Sequence, residues 1–496
     1  MTSRALTIAM IGAEVAPFSK AGGLADVMGS LPKALRALGH HVVVFTPFYE
    51  QLVDVLQWGL VDTWAGDIAI DDHHHASIRV LRGTIEPDIP VYFIGSTKYF
   101  SQKKSIYGST HDNSRFFLFS VAALDVLVRE RIAPDIIHCH DWHTGLIPYL
   151  LKHDPRWSTE PLFAATATLY TIHNLAFQMG KNWWDVPEGE RDDGSKSLPP
   201  FHTPDFENIN CAKRAILHSE IINTVSEQYA QEILTRDFGQ DLERILRNRK
   251  NRIFGIVNGI DEQEYNPATD PGLAARYTPS TLEGKVENKI ALQHKYGLPE
   301  DKSIPLLSMV SRITEQKGFD LIIDVLPALL RQNVQLMILG SGDKDYERIL
   351  ARVKRKTKNI AIHLEFDALE STHVYAASDI FLMPSRFEPC GLGQMLSLRY
   401  GAIPVVRAVG GLAQTIVDYN PKTQHGNGFV FREYESHDLL IAITRALETY
   451  KHAAMWRSLV QKGMRESFSW EVPAHKYVLL YRRALREKNN NLKSAI

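Results

Sequence analysis

Cysteine is scarce in this sequence: Cys139, Cys211 and Cys390 are the only three in 496 residues, and no two are close together. That excludes a disulfide framework and the common cysteine-based zinc sites, and it suits a reducing compartment. Long apolar runs are missing too, with none approaching the about 20 residues that cross a bilayer. A strand-like run, "ALTIAMI", begins almost at once, so neither a membrane span nor a targeting segment is expected. The expected location is the cytoplasm, or the plastid stroma if a transit peptide has been removed. Excess charge is lacking as well, because 56 basic residues oppose 57 acidic ones. No footprint for nucleic acid or an acidic membrane surface results. Internal repeats and low-complexity tracts are also absent.

Short apolar, β-branched runs alternate with helical patterns: "ALTIAMI", "HVVVFTPF", "PVYFIG", "DIIHCHD", "TLYTIHN" and "IINTVS", and then a second series, "IPLLSMV", "VQLMILGSG", "IAIHLEF", "DIFLMPS" and "AIPVVRA". Such alternation predicts two α/β domains, each a doubly wound parallel sheet. A Gly-, Pro- and Asn-rich stretch from 255 separates them, which places the boundary near residue 262. Ligands of open α/β sheets bind at the carboxyl ends of strands, so the active site is expected in the cleft between the domains.

"SKAGGLADV" follows the first strand, and Leu24, Val27, Met28, Leu31, Leu35 and Leu38 then fall at helical spacing, with Pro32 expected to bend or break the helix. A helix start bearing glycines and a lysine suits an anion, since free amides and the dipole end attract negative charge. An ordinary tight turn beside a surface lysine reads equally well from this stretch alone. "EPCGLGQM" (388–395) and "VGGLAQT" (409–415) repeat the arrangement in the second half. "SRITEQKG" adds Arg312 and Lys317 just after a strand, a pair suited to a departing diphosphate without metal.

"KAGGL", "HDWHTGL", "TIHNLAFQ", "NTVSEQYAQEI", "GIVNGIDEQEYNPATD", "SRITEQKGFDL", "MPSRFEPCGLGQ" and "RYGAIPVVRAVGGL" occur in that order over nearly the whole chain. Together they resemble the bacterial glycogen synthase and plant starch synthase family. The resemblance implies an α/β GT-B fold of two Rossmann-like domains: residues 1–262 on the glucan side, 263–475 binding the nucleotide sugar, and 476–496 as a helix crossing back to the first domain. It implies transfer of glucose from ADP-glucose to the nonreducing 4-hydroxyl of an α-1,4-glucan with retention of configuration. No cofactor, metal, nucleic acid or membrane partner is implied.

The family pattern carries roles onto matching positions. Lys20 contacts the donor, Gly22 and Gly23 offer amides to its diphosphate, and Asp26 lies near the nucleoside. Asp141 and His173 face the donor glucose, while Asn258 is a hinge residue near the sugar. Arg312 and Lys317 hold the distal phosphate, and Glu388 holds glucose hydroxyls and supports positive charge at the anomeric carbon. Gly391, Leu392, Gly410 and Gly411 lie in donor-binding loops with Cys390, whose thiol is expected to pack rather than react. Trp142 and His143 read as packing. Lacking a paired acid and nucleophile, the expected mechanism has the leaving phosphate take the acceptor proton.

Several positions depart from the family pattern. The glycine usual after Gln178 is missing, Gly393 replaces Asn or Thr, Val409 replaces Thr, and Phe366 stands where a Tyr often flanks the adenine. Leu396 occupies the second acidic position of other GT-B enzymes, as in the synthase group. The polar stretch 185–202 replaces a more apolar segment on the acceptor side. These leave UDP-glucose with a small acceptor, or an inactive glucan-binding scaffold, as rival readings. "DDHHHAS" (71–77) is not expected to bind a metal, because neighbouring side chains diverge.

Overall fold

The computed structural model describes residues 4–101, 105–365 and 368–494; Phe366 lies outside the described residues. The chain divides into two compact units, residues 1–259 with 470–496, and residues 260–469.

The first unit contains β1 (Thr7–Ile11), β2 (His41–Pro47), β3 (Val61–Ala69), β4 (His75–Ile85), β5 (Ile89–Gly95), β6 (Ile136–His140), β7 (Ala167–Ile172), β8 (Ile221–Thr224) and β9 (Ile253–Gly255). They form one sheet in the order β3-β4-β5-β2-β1-β6-β7-β8-β9. From β5 to β9 all neighbours are parallel. Ile8, Ala9, Met10 and Ile11 of central β1 are wholly buried, the pattern of a strand covered on both faces.

The expectation of a purely parallel sheet is corrected at one edge, where β3, β4 and β5 pair antiparallel. Residues of β4 alternate between exposed and buried over most of its length, so one face meets water, as antiparallel strands allow. Asp71 closes the β3–β4 turn by accepting the amides of His73 (2.9 Å) and His74 (2.8 Å). The histidine run is therefore a hairpin turn. Helix α1 (Gly23–Ala37) also differs from expectation, since it continues through Pro32. A proline removes one helical hydrogen bond, but Leu31, Pro32 and Leu35 are all buried there. Helix α2 (Asp112–Arg129) is almost entirely buried.

The helix Glu471–Ser494 belongs to this first unit and is laid on the sheet by aromatic residues. Tyr477 and Tyr481 are fully buried. Asn223 of β8 donates to the Tyr477 hydroxyl (2.9 Å), and the Tyr481 hydroxyl lies 2.9 Å from Nδ1 of His138 in β6.

The second unit holds β10 (Leu306–Val310), β11 (Gln335–Leu339), β12 (Ile360–His363), β13 (Ile380–Met383), β14 (Ile403–Arg407) and β15 (Phe429–Phe431), in the order β12-β11-β10-β13-β14-β15. All pairs are parallel. In each sheet the strand order reverses at the first strand, β1 between β2 and β6 and β10 between β11 and β13. The crevice for a ligand opens at such a reversal. The loops after β1, β6, β10 and β13 are those carrying residues 12–22, Asp141, Arg312 with Lys317, and Glu388. No helix among the described residues is long and apolar enough to cross a membrane.

Replacing Tyr481 separates packing from hydrogen bonding. Tyr481→Ala is expected to lose about 3–5 kcal/mol in urea unfolding, as for other large aromatic truncations. Tyr481→Phe is expected to lose only about 1 kcal/mol, the value of one buried hydrogen bond.

Candidate functional site

In the first unit the loop after β1 runs from Gly12 to Gly22, and the α1 terminus does attract an anion. That anion is the protein's own. Glu14, 2% exposed, accepts hydrogen bonds from the amides of Ala21 and Gly22, the latter at 3.1 Å. Burial pushes its carboxyl up to about 7 against the pull of these amides and of a hydrogen bond from Tyr107. The Gly22 amide, expected to face a diphosphate, is held here by Glu14. Gly23 begins the helix itself. Lys20 reaches Asp26 at 2.6 Å, and burial raises the Asp26 carboxyl despite that ammonium. One contact thus joins the turn to the first turn of α1.

Asp141 follows β6 with φ +57°, a region that few non-glycine residues occupy. Its Oδ1 accepts the amides of His173 (2.8 Å) and Asn174 (3.4 Å), so one carboxylate shapes the loop after β7. Burial lifts this carboxyl to about 7. His173 is held neutral, its pKa lowered to about 3 by burial, and its Nε2 lies 2.9 Å from Nδ1 of His140.

His138 and His140 are two apart on β6 and so project to one face. Their ring centroids are 3.9 Å apart. His138 spans from the Tyr481 hydroxyl to Oγ1 of Thr171 (2.7 Å). A buried polar row therefore runs from the last helix, through β6, to His173.

Trp142 and His143 pack as expected: the His143 ring stacks on Tyr107 at 4.9 Å and meets Phe116 edge-on, and Trp142 lies edge-on to the same Phe116. Asn258 is buried, and its Oδ1 finds no hydrogen-bond partner among the described residues. Gly180 stands one place beyond the family glycine position and performs a close approach, because a Cβ there would lie 2.7 Å from that of Asp112. The polar stretch after residue 185 is anchored by a buried ion pair between Asp192 and Arg214 at 2.8 Å.

In the second unit, Lys317 Nζ contacts Glu388 Oε2 at 2.6 Å, and Ser385 donates to the same oxygen at 3.0 Å. Arg312, on the same loop as Lys317, reaches Gln316 at 3.4 Å. Glycines hold these loops together. Gly318 (φ +77°) has no room for a Cβ, which would fall 2.2 Å from the Pro384 carbonyl oxygen. At Gly410 (φ +44°) it would fall 1.9 Å from the Glu388 oxygen, and at Gly411 2.1 Å from the Cys390 oxygen. The Gly411 amide already bonds the Glu388 and Pro389 carbonyls, both at 3.2 Å. Gly410 and Gly411 thus bring two backbones together. Gly391 (φ +72°) and Leu392 lead into the short helix Gly393–Arg399. Gly393 faces the Phe381 ring, 3.1 Å from where a Cβ would sit. Cys390 is buried and in no disulfide.

Sequence reading missed Glu14, Tyr107 and His140. Polar residues at alternate positions of an otherwise apolar strand, His138 and His140, were a usable signal, as was a glutamate directly after a buried strand. Tyr107 gave none.

Two parallel-sheet units, each with polar residues gathered where its strand order reverses, define a glycosyltransferase of the GT-B class. Residues 7–248 match the starch synthase catalytic domain family, and residues 290–462 match the glycosyl transferases group 1 family. The glycogen synthase of Geotalea daltonii is 42% identical over 495 residues, covering 97% of this chain and all of that one. That of Moorella thermoacetica is 43% identical, with 98% of each chain covered. The catalytic domain of starch synthase IV from Arabidopsis thaliana, solved bound to ADP and acarbose, superposes with a TM-score of 0.86 at 33% identity, covering 97% of this chain and all of that one. A sucrose-phosphate synthase of Thermosynechococcus elongatus shares the fold, at TM-score 0.60 and 17% identity, with 96% of this chain and 98% of that one covered. The chain belongs to the glycogen synthase and starch synthase family of glucosyltransferases.

Two measurements check the site. Gly410→Ala should destabilise the second unit by at least about 2 kcal/mol, since it adds left-handed strain to an overlap with backbone, and transfer activity should fall with it. For Asp141, the folded state keeps a proton that the unfolded chain releases above its ordinary pKa. Its contribution to stability is therefore full at low pH and lost as pH rises through about 7. Asp141→Asn should accordingly gain stability relative to the wild type between about pH 5 and about pH 8, by on the order of 2–4 kcal/mol, read from denaturant midpoints at each pH.

Proposed function

We propose that this glucosyltransferase takes its glucose from ADP-glucose and adds it, with retention, to the nonreducing 4-hydroxyl of an α-1,4-glucan in the cytoplasm. The observation that carries the reading is the Lys317–Glu388 contact beside Arg312, a cation pair and one carboxylate at the ends of adjacent strands β10 and β13. Relatives named glycogen synthase over full length, and a neighbour solved bound to ADP, support the donor and acceptor. Three buried cysteines, none in a disulfide, accord with a reducing compartment.

In this reading Arg312 and Lys317 take the distal phosphate, and Glu388 exchanges its lysine partner for glucose hydroxyls. The bond from the anomeric carbon to the phosphate oxygen breaks as the acceptor oxygen bonds the same face. The acceptor proton passes to the departing diphosphate, so no protein base is needed, and neutral His173 serves by position. Charge developing on the diphosphate is met by the two cations, and positive charge on the sugar by Glu388. On the first unit, Lys20 and Asp26 address the donor, Gly22 and Gly23 line its binding loop, and Asp141 and Asn258 flank the sugar; on the second unit, Cys390, Gly391 and Leu392 with Gly410 and Gly411 line the donor-binding loops.

Transfer of labelled glucose to glycogen, compared for ADP-glucose and UDP-glucose, tests the donor, and Glu388→Ala should abolish it. Incorporation from UDP-glucose alone would overturn the donor assignment, and none from either would favour a small acceptor or a scaffold. Arg312→Ala and Lys317→Ala should lower kcat by about 10²–10³-fold while leaving the KM for glucan nearly unchanged. Equal losses in both constants would contradict the assigned roles.

A further inference from the structure

Away from the loops just described, two histidines and a glutamate distant in sequence converge. His111 directly precedes α2, while His202 and Glu207 lie in the segment leading to the helix Cys211–His218. One donor atom from each lies within 4.8 Å of the others. Nδ1 of His111 is 3.9 Å from Oε1 of Glu207, and the two imidazole centroids are 4.7 Å apart. Among the described residues no other trio of such side chains approaches so closely.

We propose that His111, His202 and Glu207 bind one transition-metal ion of the zinc type. Three features suit them to it. The Glu207 carboxylate is already oriented, accepting the amides of Asn113 (3.1 Å) and Ser114 (3.2 Å) and the Ser114 hydroxyl. A carboxylate has about four lone-pair directions, so these leave one for a metal, and a ligand fixed by its outer partners is the usual arrangement of metal sites. His202 packs edge-on to Tyr99 at 6.2 Å, and its Nδ1 is sealed from water with no hydrogen-bond partner among the described residues. His111 is half exposed, and an inward shift of about 1 Å would bring the present spacing to tetrahedral ligand contacts.

Two imidazoles and one carboxylate, with water in the fourth position, favour zinc, cobalt or nickel over magnesium or calcium, which want oxygen ligands. Lys98 and His74 also lie near His202. The ammonium of Lys98 weighs against a purely electrostatic cation and less against one held by nitrogen coordination. The bound ion would clip the 202–207 segment to the start of α2, a few residues from Tyr107, which bonds Glu14.

The test uses the full-length enzyme, stripped with a chelator and then titrated with zinc or cobalt chloride. One equivalent should be retained on dialysis, and cobalt should give the intense visible absorption of a low-coordinate ion. His111→Ala and Glu207→Gln should each weaken retention by at least about tenfold. His111 is exposed, so its replacement should leave folding intact even if Glu207→Gln does not. A paired His73→Ala, His75→Ala variant should bind as the wild type does. No retention by the wild type, retention unchanged in His111→Ala, or loss in the hairpin variant instead would overturn the proposal.

Discussion

Three backbone contacts that admit no Cβ govern the second unit. Gly318 lies against the Pro384 carbonyl, Gly410 against that of Glu388, and Gly411 against that of Cys390. Each lets one loop lie directly on another, so the segments bearing Arg312, Lys317 and Glu388 behave as a single body. The 2.6 Å contact between Lys317 and Glu388 is a consequence of that arrangement. The close approach at Gly318 lays the loop of Lys317 on the segment that leads to Glu388. The glycines prominent in the sequence are thus structural first, and what they hold in place is charge.

In the first unit the same end is reached by burying polar groups. Asp141 binds the amides of the loop that follows the neighbouring strand, and His138 and His140 thread a polar row through the sheet to His173. Desolvation sets the protonation of every member, raising the carboxyl and lowering the imidazoles. A carboxyl that titrates near neutrality has the pKa of a general acid or base, but Oδ1 of Asp141 is committed to two backbone amides of the neighbouring loop.

Much of this was legible in the sequence, and the remainder was hidden for physical reasons. Buried parallel strands announce themselves as continuous apolar runs, so "ALTIAMI" and "IPLLSMV" could be placed at sight. The β3–β4 hairpin could not, because its half-solvated strands mix polar and apolar residues and include glycine, proline-free turns and charge. The motif lysine, arginine and acidic residues were found where the chain folds them together. What the glycines contact was not legible, since a glycine that spares a ligand and a glycine that spares a carbonyl look the same in one dimension. The meeting of His111 with His202 spans 91 residues, and no local pattern encodes it.

The carboxylate of Glu14 at the start of α1 gives that turn a lasting internal guest. A glycine-rich loop is ordinarily floppy until a ligand arrives, and ordering it then weakens binding. Here the loop is ordered from within, at the moment of folding. The cradle of amides is thus filled and shaped by the chain itself, so its form does not wait on any ligand.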